Sequence, residues 1–427
     1  MQGAVSKKFW VNIGIPQGSP LSPILFLFFS IPLLEKLKAE QGLVSNENAV
    51  LYQLKQFLIA AFVDDITFLI VSDSVERDNK AAEKLYKALV AFAEMDGTEF
   101  SADKTQVMHL CKPGQKFNDS MPNVADMPKK AKKAIKILGL WLDHRLTWET
   151  HVEEILKKAR RKMFTLRRIS GSTFGAEIKK LRDRYTSAIL PIISYACPVW
   201  FAGYDARKYC DKTGKSPSAK SPLSISLKLV KKLESEHNYF LKQLSGAYAM
   251  TNGFILLKEL AVPTIAVFLT RLVRTYWAQV LEARHGGRMS KRNLVYPDKH
   301  PYWLAEADAH VNVLIPAKIR LQSWLELSER RRPVDEDAKC RKLKGLIKSI
   351  AENLLTDQMQ ADWVVFVNLR SCEARYFNKT PPAVRGTWGE HNFKIYEELL
   401  KAQSTILLHC RTGINGLNAC LNFMSFK

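Results

Sequence analysis

Two adjacent carboxylates, Asp64 and Asp65, are the first candidates for chemistry in this chain. They separate the apolar runs FLIAAFV and ITFLIV, which are rich in β-branched and aromatic residues and so predict two strands joined at an acidic turn. Like charges at close range repel each other. At the end of a largely buried hairpin, a divalent cation would relieve that repulsion, since Mg²⁺ takes one or two protein carboxylates together with phosphates. The alternative is an ordinary acidic turn in solvent.

A turn-rich segment at residues 13–23, IGIPQGSPLSP, is a second candidate. Gly18 permits close approach of the backbone to a ligand, and Gln17 and Ser19 can hydrogen-bond a sugar or a base. The Ser-Pro pair that closes the segment predicts a helix start, whose free N–H groups suit phosphate. The apolar residues 24–34 that follow are too few to span a membrane, which takes about 20, so we interpret them as a buried helix. A plain Pro/Gly connector is the alternative.

Two weaker candidates lie further along the chain. Lys104, in the sequence SADKT, is on a loop before an expected strand and could donate a proton or a charge to a leaving phosphate. A solvated lysine is the alternative. Gly139, in the sequence ILGLWL, suggests a bend or a close contact within a strand, with Trp141 beside it. A plain core strand explains that sequence equally well.

The hydrophobic period predicts the elements around these motifs. A helix is expected over residues 78–95, and Gly97 stops it. Short strands are expected at residues 105–111 and 135–142. The order of helix, hairpin, helix and strand indicates an α+β sheet with helices on one face. The apolar positions of the helix are Ala81, Leu85, Leu89 and Phe92.

From residue 146 onward the sequence becomes helical. One apolar stripe is formed by Trp148, Val152, Ile155, Ala159 and Met163. Basic residues crowd the rest of that helix, among them Lys157, Lys158, Arg160, Arg161, Arg167 and Arg168. Residues 204–226 are polar and rich in Ser, Pro and Lys, which indicates a flexible loop. Further helices are expected near residues 176–195, 227–245, 254–282, 316–327, 340–356 and 391–406.

Composition narrows the class of protein. The 427 residues are 47% hydrophobic and 25% charged, as in a globular protein of two or three domains. The formal net charge of +22 favours a polyanionic partner, nucleic acid first and anionic membrane second. The seven cysteines form no CxxC pair, so neither a zinc site nor a disulfide framework is indicated. With no secretory signal and no transmembrane segment, we expect an intracellular protein of the nucleus or cytoplasm.

The motifs, taken in their order along the chain, resemble those of a known family. GIPQGSPLSPILF, FVDDITFLI, SADKTQVMHL and KILGLWLD resemble motifs B, C, D and E of reverse transcriptases, in that order. The sequences of these motifs are most similar to those of non-LTR (LINE-type) retrotransposons, especially fungal ones. Downstream, LRDRYTSAILPIISYACPVW resembles the thumb helix of the family, with Tyr185, Pro191, Tyr195 and Trp200 in matching places. The resemblance is good over about residues 13–285 and moderate over about 399–425.

The resemblance implies roles for the two carboxylates. Asp64 matches the motif C aspartate that binds the catalytic metals, and Asp65 matches the neighbour that shapes the site. The cofactor implied is Mg²⁺ or Mn²⁺ in a two-metal site. Val63 stands where the family usually has alanine or another small residue, a mild departure.

The resemblance also implies how the substrates are held. Gln17, Gly18 and Ser19 match the loop that contacts the incoming nucleotide and the template. Lys104 matches the motif D lysine implicated as proton donor to pyrophosphate. Gly139 and Trp141 fall in the primer grip. The implied partners are an RNA template, a DNA primer and dNTPs, and the basic thumb helix would follow the nucleic-acid backbone.

The implied activity is that of an RNA-directed DNA polymerase, a nucleotidyltransferase. The expected organisation is a partial palm at residues 1–145, a helical thumb at 146–285, and a mostly helical C-terminal region of unknown role at 286–427. Motif A should precede motif B, but MQGAVSKKFWVN has no acidic residue. We therefore expect an N-terminally truncated polymerase that does not extend a primer alone and exposes an unpaired strand edge. Three hypotheses remain: a truncated frame of an active enzyme, a degenerate remnant, and a nucleic-acid-binding protein without catalysis.

Overall fold

A computed structural model describes most of the chain. The described residues are 19–45, 54–97, 100–111, 114–123, 130–168, 171, 174–201, 225–285, 336–373 and 387–412. Gln17, Gly18, the expected helix at 316–327 and nearly all of the expected loop at 204–226 lie outside them. The chain divides into two compact units, residues 1–135 and 136–427. No helix of the described residues is long and apolar enough to span a membrane.

The first unit is built around one antiparallel hairpin. Strand β1 (Leu54–Phe62) pairs with β2 (Asp65–Ser72), from Phe62 opposite Asp65 back to Leu54 opposite Ser72. Helix α1 (Ser22–Ser45) contacts β1, and helix α2 (Val75–Asp96) contacts β2. The expected hairpin is confirmed, as is the helix that Gly97 ends with a left-handed φ of 67°.

Burial in this unit is lower than the sequence suggested. The expectation that residues 24–34 form a buried helix is half wrong: they are helical, but Leu25, Phe28 and Phe29 are exposed. The hairpin is not largely buried either, since only Phe57 is buried among the side chains described in its strands. The reason is geometric, because a sheet of two strands is too narrow to cover both the apolar residues of α1 and the apolar face of α2.

The strand expected at residues 105–111 is absent. A 3₁₀ turn, Ala102–Lys104, precedes it, and the segment makes no ladder with a neighbouring strand. The backbone bond from Lys132 N to Val107 O, 2.9 Å long, ties it to the chain near the next hairpin. Its β-branched and apolar residues favour an extended backbone, but a strand also requires a partner.

The second unit is mainly helical. A short hairpin at the boundary between the units joins β3 (Ala134–Ile137) to β4 (Leu140–Asp143), so the single strand expected at 135–142 is instead two short strands joined by a turn at Leu138 and Gly139. The helices that follow are α3 (Glu149–Arg168), α4 (Ile178–Arg184), a π-helical turn (Tyr185–Ile189), α5 (Leu190–Ile193), α6 (Cys197–Trp200), α7 (Leu227–Ser245), α8 (Gly253–Glu259), α9 (Ile265–His285), α10 (Glu336–Glu373), a 3₁₀ helix (Glu390–Tyr396) and α11 (Lys401–Thr412). Together the described elements confirm a fold of mixed helices and strands.

The core of this unit lies under α3. The five residues of the apolar stripe expected in this helix are all buried. Helix α3 packs against α7 and α5, and α9 packs against α10. One continuous helix over 254–282 was a wrong expectation. The chain breaks between α8 and α9, where Ala261 has a φ of 49° and Pro263 supplies no N–H donor.

The C-terminal segment packs onto the same core. Lys401 Nζ donates to Leu244 O at 2.6 Å, and the His409 ring bonds Gly246 O at 2.9 Å. Arg411 pairs with Glu259, which is fully buried. Residues 387–412 are therefore part of the second compact unit and help to close it.

Candidate active site

The acidic turn is a two-residue connection with a strained first residue. Because Phe62 pairs with Asp65, the residues of the turn are Val63 and Asp64. Val63 has a φ of 55°, which is unfavourable for a β-branched side chain. Strain of this kind persists only where the surrounding structure imposes it, and it is common at functional sites.

Both carboxylates face solvent. Asp64 and Asp65 are exposed, so water screens their repulsion and the pair costs roughly 1 kcal/mol rather than the larger penalty of a buried site. Alternation along β2 places Asp65 on the sheet face that also carries Thr67 and Leu69, opposite to the face of the buried Phe57. This more exposed face is open to a large ligand.

The donor chemistry fits a hard divalent cation. Two carboxylates at one turn supply the oxygens that Mg²⁺ prefers, with water and phosphate oxygens as its other ligands. In the described part of the chain no three His, Cys, Asp or Glu residues come together to hold a metal.

The structure describes only some of the other residues that were expected to contact the nucleotide. Ser19 lies just before α1, where its hydroxyl accepts from Leu21 N at 3.3 Å, so it is engaged in forming the helix start. Lys104 ends the 3₁₀ turn with its side chain exposed. Ser101 O fixes that turn by accepting from the backbone N–H groups of Lys104 and Thr105 at 3.2 and 3.1 Å.

Gly139 occupies the tip of the second hairpin. The two central residues of its turn, Leu138 and Gly139, have φ values of 45° and 88°. Two left-handed residues in succession define a type I′ turn, which glycine suits and leucine does not. On the returning strand, the Trp141 N–H faces His151 Nδ1 at 3.4 Å.

Asp143 anchors this hairpin to α3. Its two carboxylate oxygens accept from the backbone N–H groups of Arg145, Thr147 and Trp148 at 3.1, 3.0 and 2.7 Å. The side chain is almost fully buried. The negative charge lies at the start of the helix, where the helix dipole favours it. The hairpin therefore has a fixed direction relative to the basic helix.

The basic face of α3 is exposed along its whole length. Lys157 pairs with Glu154 at 2.7 Å, and Arg160 pairs with Glu236 on α7. The hydrogen bond with Glu236 raises the pKa of Arg160. The remaining cations of the expected backbone-binding set are exposed, and they are Lys158, Arg161, Arg167 and Arg168. Such a face suits a polyanion, with two of its six charges already partly compensated.

Comparison with known proteins identifies the first part of the chain. Residues 1–142 match the model of the family described as reverse transcriptase (RNA-dependent DNA polymerase). Residues 1–142 belong to the reverse transcriptase family. The match includes the acidic turn, Lys104, Gly139 and Trp141. No solved structure matches the chain.

Three relatives of the reverse transcriptase segment come from transposons. The probable RNA-directed DNA polymerase from transposon X-element of Drosophila melanogaster is 22% identical over 204 residues, 48% of this chain and 21% of the relative. That from transposon BS of the same species is 23% identical, over 44% of this chain and 20% of the relative. The RNA-directed DNA polymerase from mobile element jockey of Drosophila funebris is 24% identical, over 49% and 21%.

These matches confirm the non-LTR reverse transcriptase resemblance and extend beyond the family segment. A similarity of 204 residues is longer than the 142 residues that the family model covers, so it must continue past Leu142. The matched part spans only about a fifth of each relative's length.

Sequence reasoning missed residues that hold the site in place. Asp143, His151 and Tyr195 all contact the second hairpin or the start of α3, but none was assigned a role in a site. For Asp143 a signal was present, since an Asp side chain readily accepts from backbone N–H groups two or more residues further along the chain. Tyr195 meets the hairpin from 57 residues further along the chain, and no local pattern announces such a contact.

Proposed function

We propose that this chain supplies the motif C carboxylates and the thumb of an RNA-directed DNA polymerase. The observation that carries the proposal is the pair Asp64 and Asp65, exposed at a strained turn within the segment that matches the reverse transcriptase family. Residues 1–145 form the palm part of the polymerase, residues 146–285 its thumb, and residues 286–427 a C-terminal region whose described parts, 336–373 and 387–412, are mainly helical.

The reaction is nucleotidyl transfer to a primer 3′-hydroxyl. Asp64 would hold a Mg²⁺ or Mn²⁺ ion, which would supply positive charge against the charge that develops on the α-phosphate. Asp65 maintains the shape of the turn. Lys104 donates a proton to the departing pyrophosphate. Gln17, Gly18 and Ser19 contact the incoming nucleotide and the template.

The second unit binds the nucleic acid. Gly139 and Trp141 support the primer terminus, and the six exposed cations of α3 follow the phosphate backbone of the RNA template and DNA primer. Contacts with phosphates fix the register of the protein on the nucleic acid but do not read its sequence. This face therefore contributes to affinity and not to sequence specificity.

The direct test is incorporation of labelled dTTP on poly(rA) with an oligo(dT) primer. The assay uses the protein translated from the whole native transcript, beside the 427-residue chain. We expect incorporation that requires the RNA template, a primer 3′-hydroxyl and a divalent cation, and that a dideoxy-terminated primer blocks. Template-independent addition, or no incorporation by the native product, would overturn the proposal.

Binding without catalysis is the second candidate. The observation that favours it is the isolation of the two carboxylates, since no third metal ligand joins them in the described part of the chain. It predicts tight, salt-sensitive binding of RNA that is unchanged by Asp64→Asn, together with no incorporation of dNTPs by any form of the protein.

A further inference from the structure

The tip of the second hairpin has a conformation that its own sequence disfavours. Leu138 occupies the first central position of a type I′ turn, with a φ of 45°. Asparagine and glycine adopt this conformation readily, whereas a bulky side chain strains it. Something outside the hairpin must therefore help to hold Leu138 in place.

Tyr195 stabilises Leu138 in this conformation. Its hydroxyl donates to Leu138 O at 2.8 Å. Its ring covers Gly139 so closely that a Cβ on this residue would lie 3.0 Å from Tyr195 Cε1. One side chain thus fixes the carbonyl of the first turn residue and fills the space beside the second. Leu138 and Tyr195 are both about half exposed, so a ligand can reach the tip while the contact persists.

Tyr195 is itself attached to the core. Its carbonyl accepts from Trp200 Nε1 at 2.8 Å, and Trp200 is fully buried. The Trp200 ring meets the ring of His151 edge-on, with centroids 5.4 Å apart. His151 Nδ1 in turn faces the N–H of Trp141 on the returning strand. The contacts form a closed chain from the hairpin tip, through the core, to the returning strand of the same hairpin.

We propose that Tyr195 is a positioning residue of the primer grip. Its hydroxyl holds the peptide between Leu138 and Gly139 in one orientation, so that the hairpin presents a rigid tip to the primer terminus. Without the hydroxyl, Leu138 relaxes toward negative φ and the tip samples several orientations. The inference rests on the proposed polymerase function, because that function makes the hairpin a primer grip.

The first arm of the test measures the hairpin without any ligand. Hydrogen–deuterium exchange is followed by mass spectrometry on peptides that cover residues 134–143. Tyr195→Phe keeps the ring and removes the hydroxyl, and we expect faster exchange in this segment with no change in thermal midpoint. Adding Leu138→Asn should restore slow exchange, because asparagine tolerates the left-handed conformation. Tyr239→Phe, at an exposed tyrosine on α7, is the matched control.

The second arm measures primer-end recognition. The probes are an RNA–DNA duplex with a recessed DNA 3′ end and a blunt duplex of equal length. We expect the wild-type chain to prefer the recessed end, and Tyr195→Phe to reduce that preference about fivefold, the value of one ordinary hydrogen bond. Leu138→Asn should rescue the preference in the double variant.

The outcomes separate the two proposals. Unchanged exchange in Tyr195→Phe, or faster exchange with an unchanged preference for the recessed end, overturns the positioning role and leaves the polymerase proposal standing. A wild-type chain with no preference for the recessed end overturns the primer grip itself, and the positioning role with it.

Discussion

Two buried histidines make the stability of the second unit sensitive to acid. His237 lies between Tyr185 Oη, 2.5 Å from Nδ1, and Pro263 O, 3.0 Å from Nε2. Burial lowers the pKa of His237 to about 4, against the opposing effect of the Pro263 bond. Burial and the nearby charge of Lys158 lower the pKa of His151 to about 4 as well.

The sign of the pH effect follows from these shifts. Between about pH 6.5 and pH 4 the unfolded chain binds protons at both histidines and the folded chain does not. The free energy of unfolding should therefore be greatest above about pH 6.5 and fall as the pH is lowered toward 4, by on the order of 2–3 kcal/mol for each histidine. Urea unfolding across this range measures the decline.

The control for this prediction separates the two sites. His237→Gln removes one titrating group and should make the decline shallower, although it also lowers stability at neutral pH by disturbing the Tyr185 bond. A decline in His237→Gln as steep as that of the wild type would show that His237 is not held neutral in the folded protein.

The pKa of Glu234 is shifted in the opposite direction. Burial raises the pKa of this carboxyl to about 7, against the backbone N–H groups of Ala266 and Ile265 that favour its ionised form. Because a raised carboxyl pKa favours the folded state at low pH, its contribution declines as the pH rises from about 4.5 through 7. The histidines and Glu234 together place the stability maximum of this unit near neutral pH.

At the scale of elements, a buried ion pair joins α11 to α8. Arg411 on α11 donates from Nε and Nη2 to the two oxygens of Glu259, at 2.6 and 2.9 Å. Tyr396 Oη donates to the same carboxylate at 2.7 Å. Glu259 is fully buried, so the loss of its partner would leave an uncompensated charge in the core.

We expect Arg411→Ala to destabilise the second unit by about 3–5 kcal/mol. Thermal unfolding followed by circular dichroism measures this loss. Lys179→Ala breaks a different ion pair to the same C-terminal segment, the exposed contact with Glu397, and should change the midpoint little. Equal effects of the two substitutions would contradict the view that α11 docks through the buried pair.

Several elements could be predicted from sequence because their signals are local. Ser74 and Gly97 frame α2, and the stripe from Trp148 to Met163 gives α3 its buried face. Other features depend on distant partners. The exposure of α1, the absence of a strand at residues 105–111, and the contact of Tyr195 with Leu138 are decided by what packs nearby. Asp64 and Asp65 were recognised by type and order, whereas their exposure required the structure.

At the scale of the whole molecule, the net charge of +22 should appear as strongly salt-dependent binding of nucleic acid. We expect the double variant Arg161→Ala, Arg168→Ala to lower the slope of log K against log salt concentration by about 2, one for each lost phosphate contact. Fluorescence anisotropy with a labelled RNA–DNA duplex measures the slope. Lys348→Ala, at an exposed lysine on α10, is the control, and a matching loss there would show that the effect is not local to α3.

The measurement that tests the central claim most directly is RNA-templated incorporation of dNTPs by the native translation product and its Asp64→Asn variant. The account predicts a loss of at least about 100-fold, because the exchange removes a metal-binding carboxylate and leaves the turn intact. Asp73→Asn, at the far end of the same hairpin and roughly 25 Å along β2, should retain full activity. Incorporation that persists in Asp64→Asn, or falls equally in Asp73→Asn, would contradict the assignment of the acidic turn as the catalytic site.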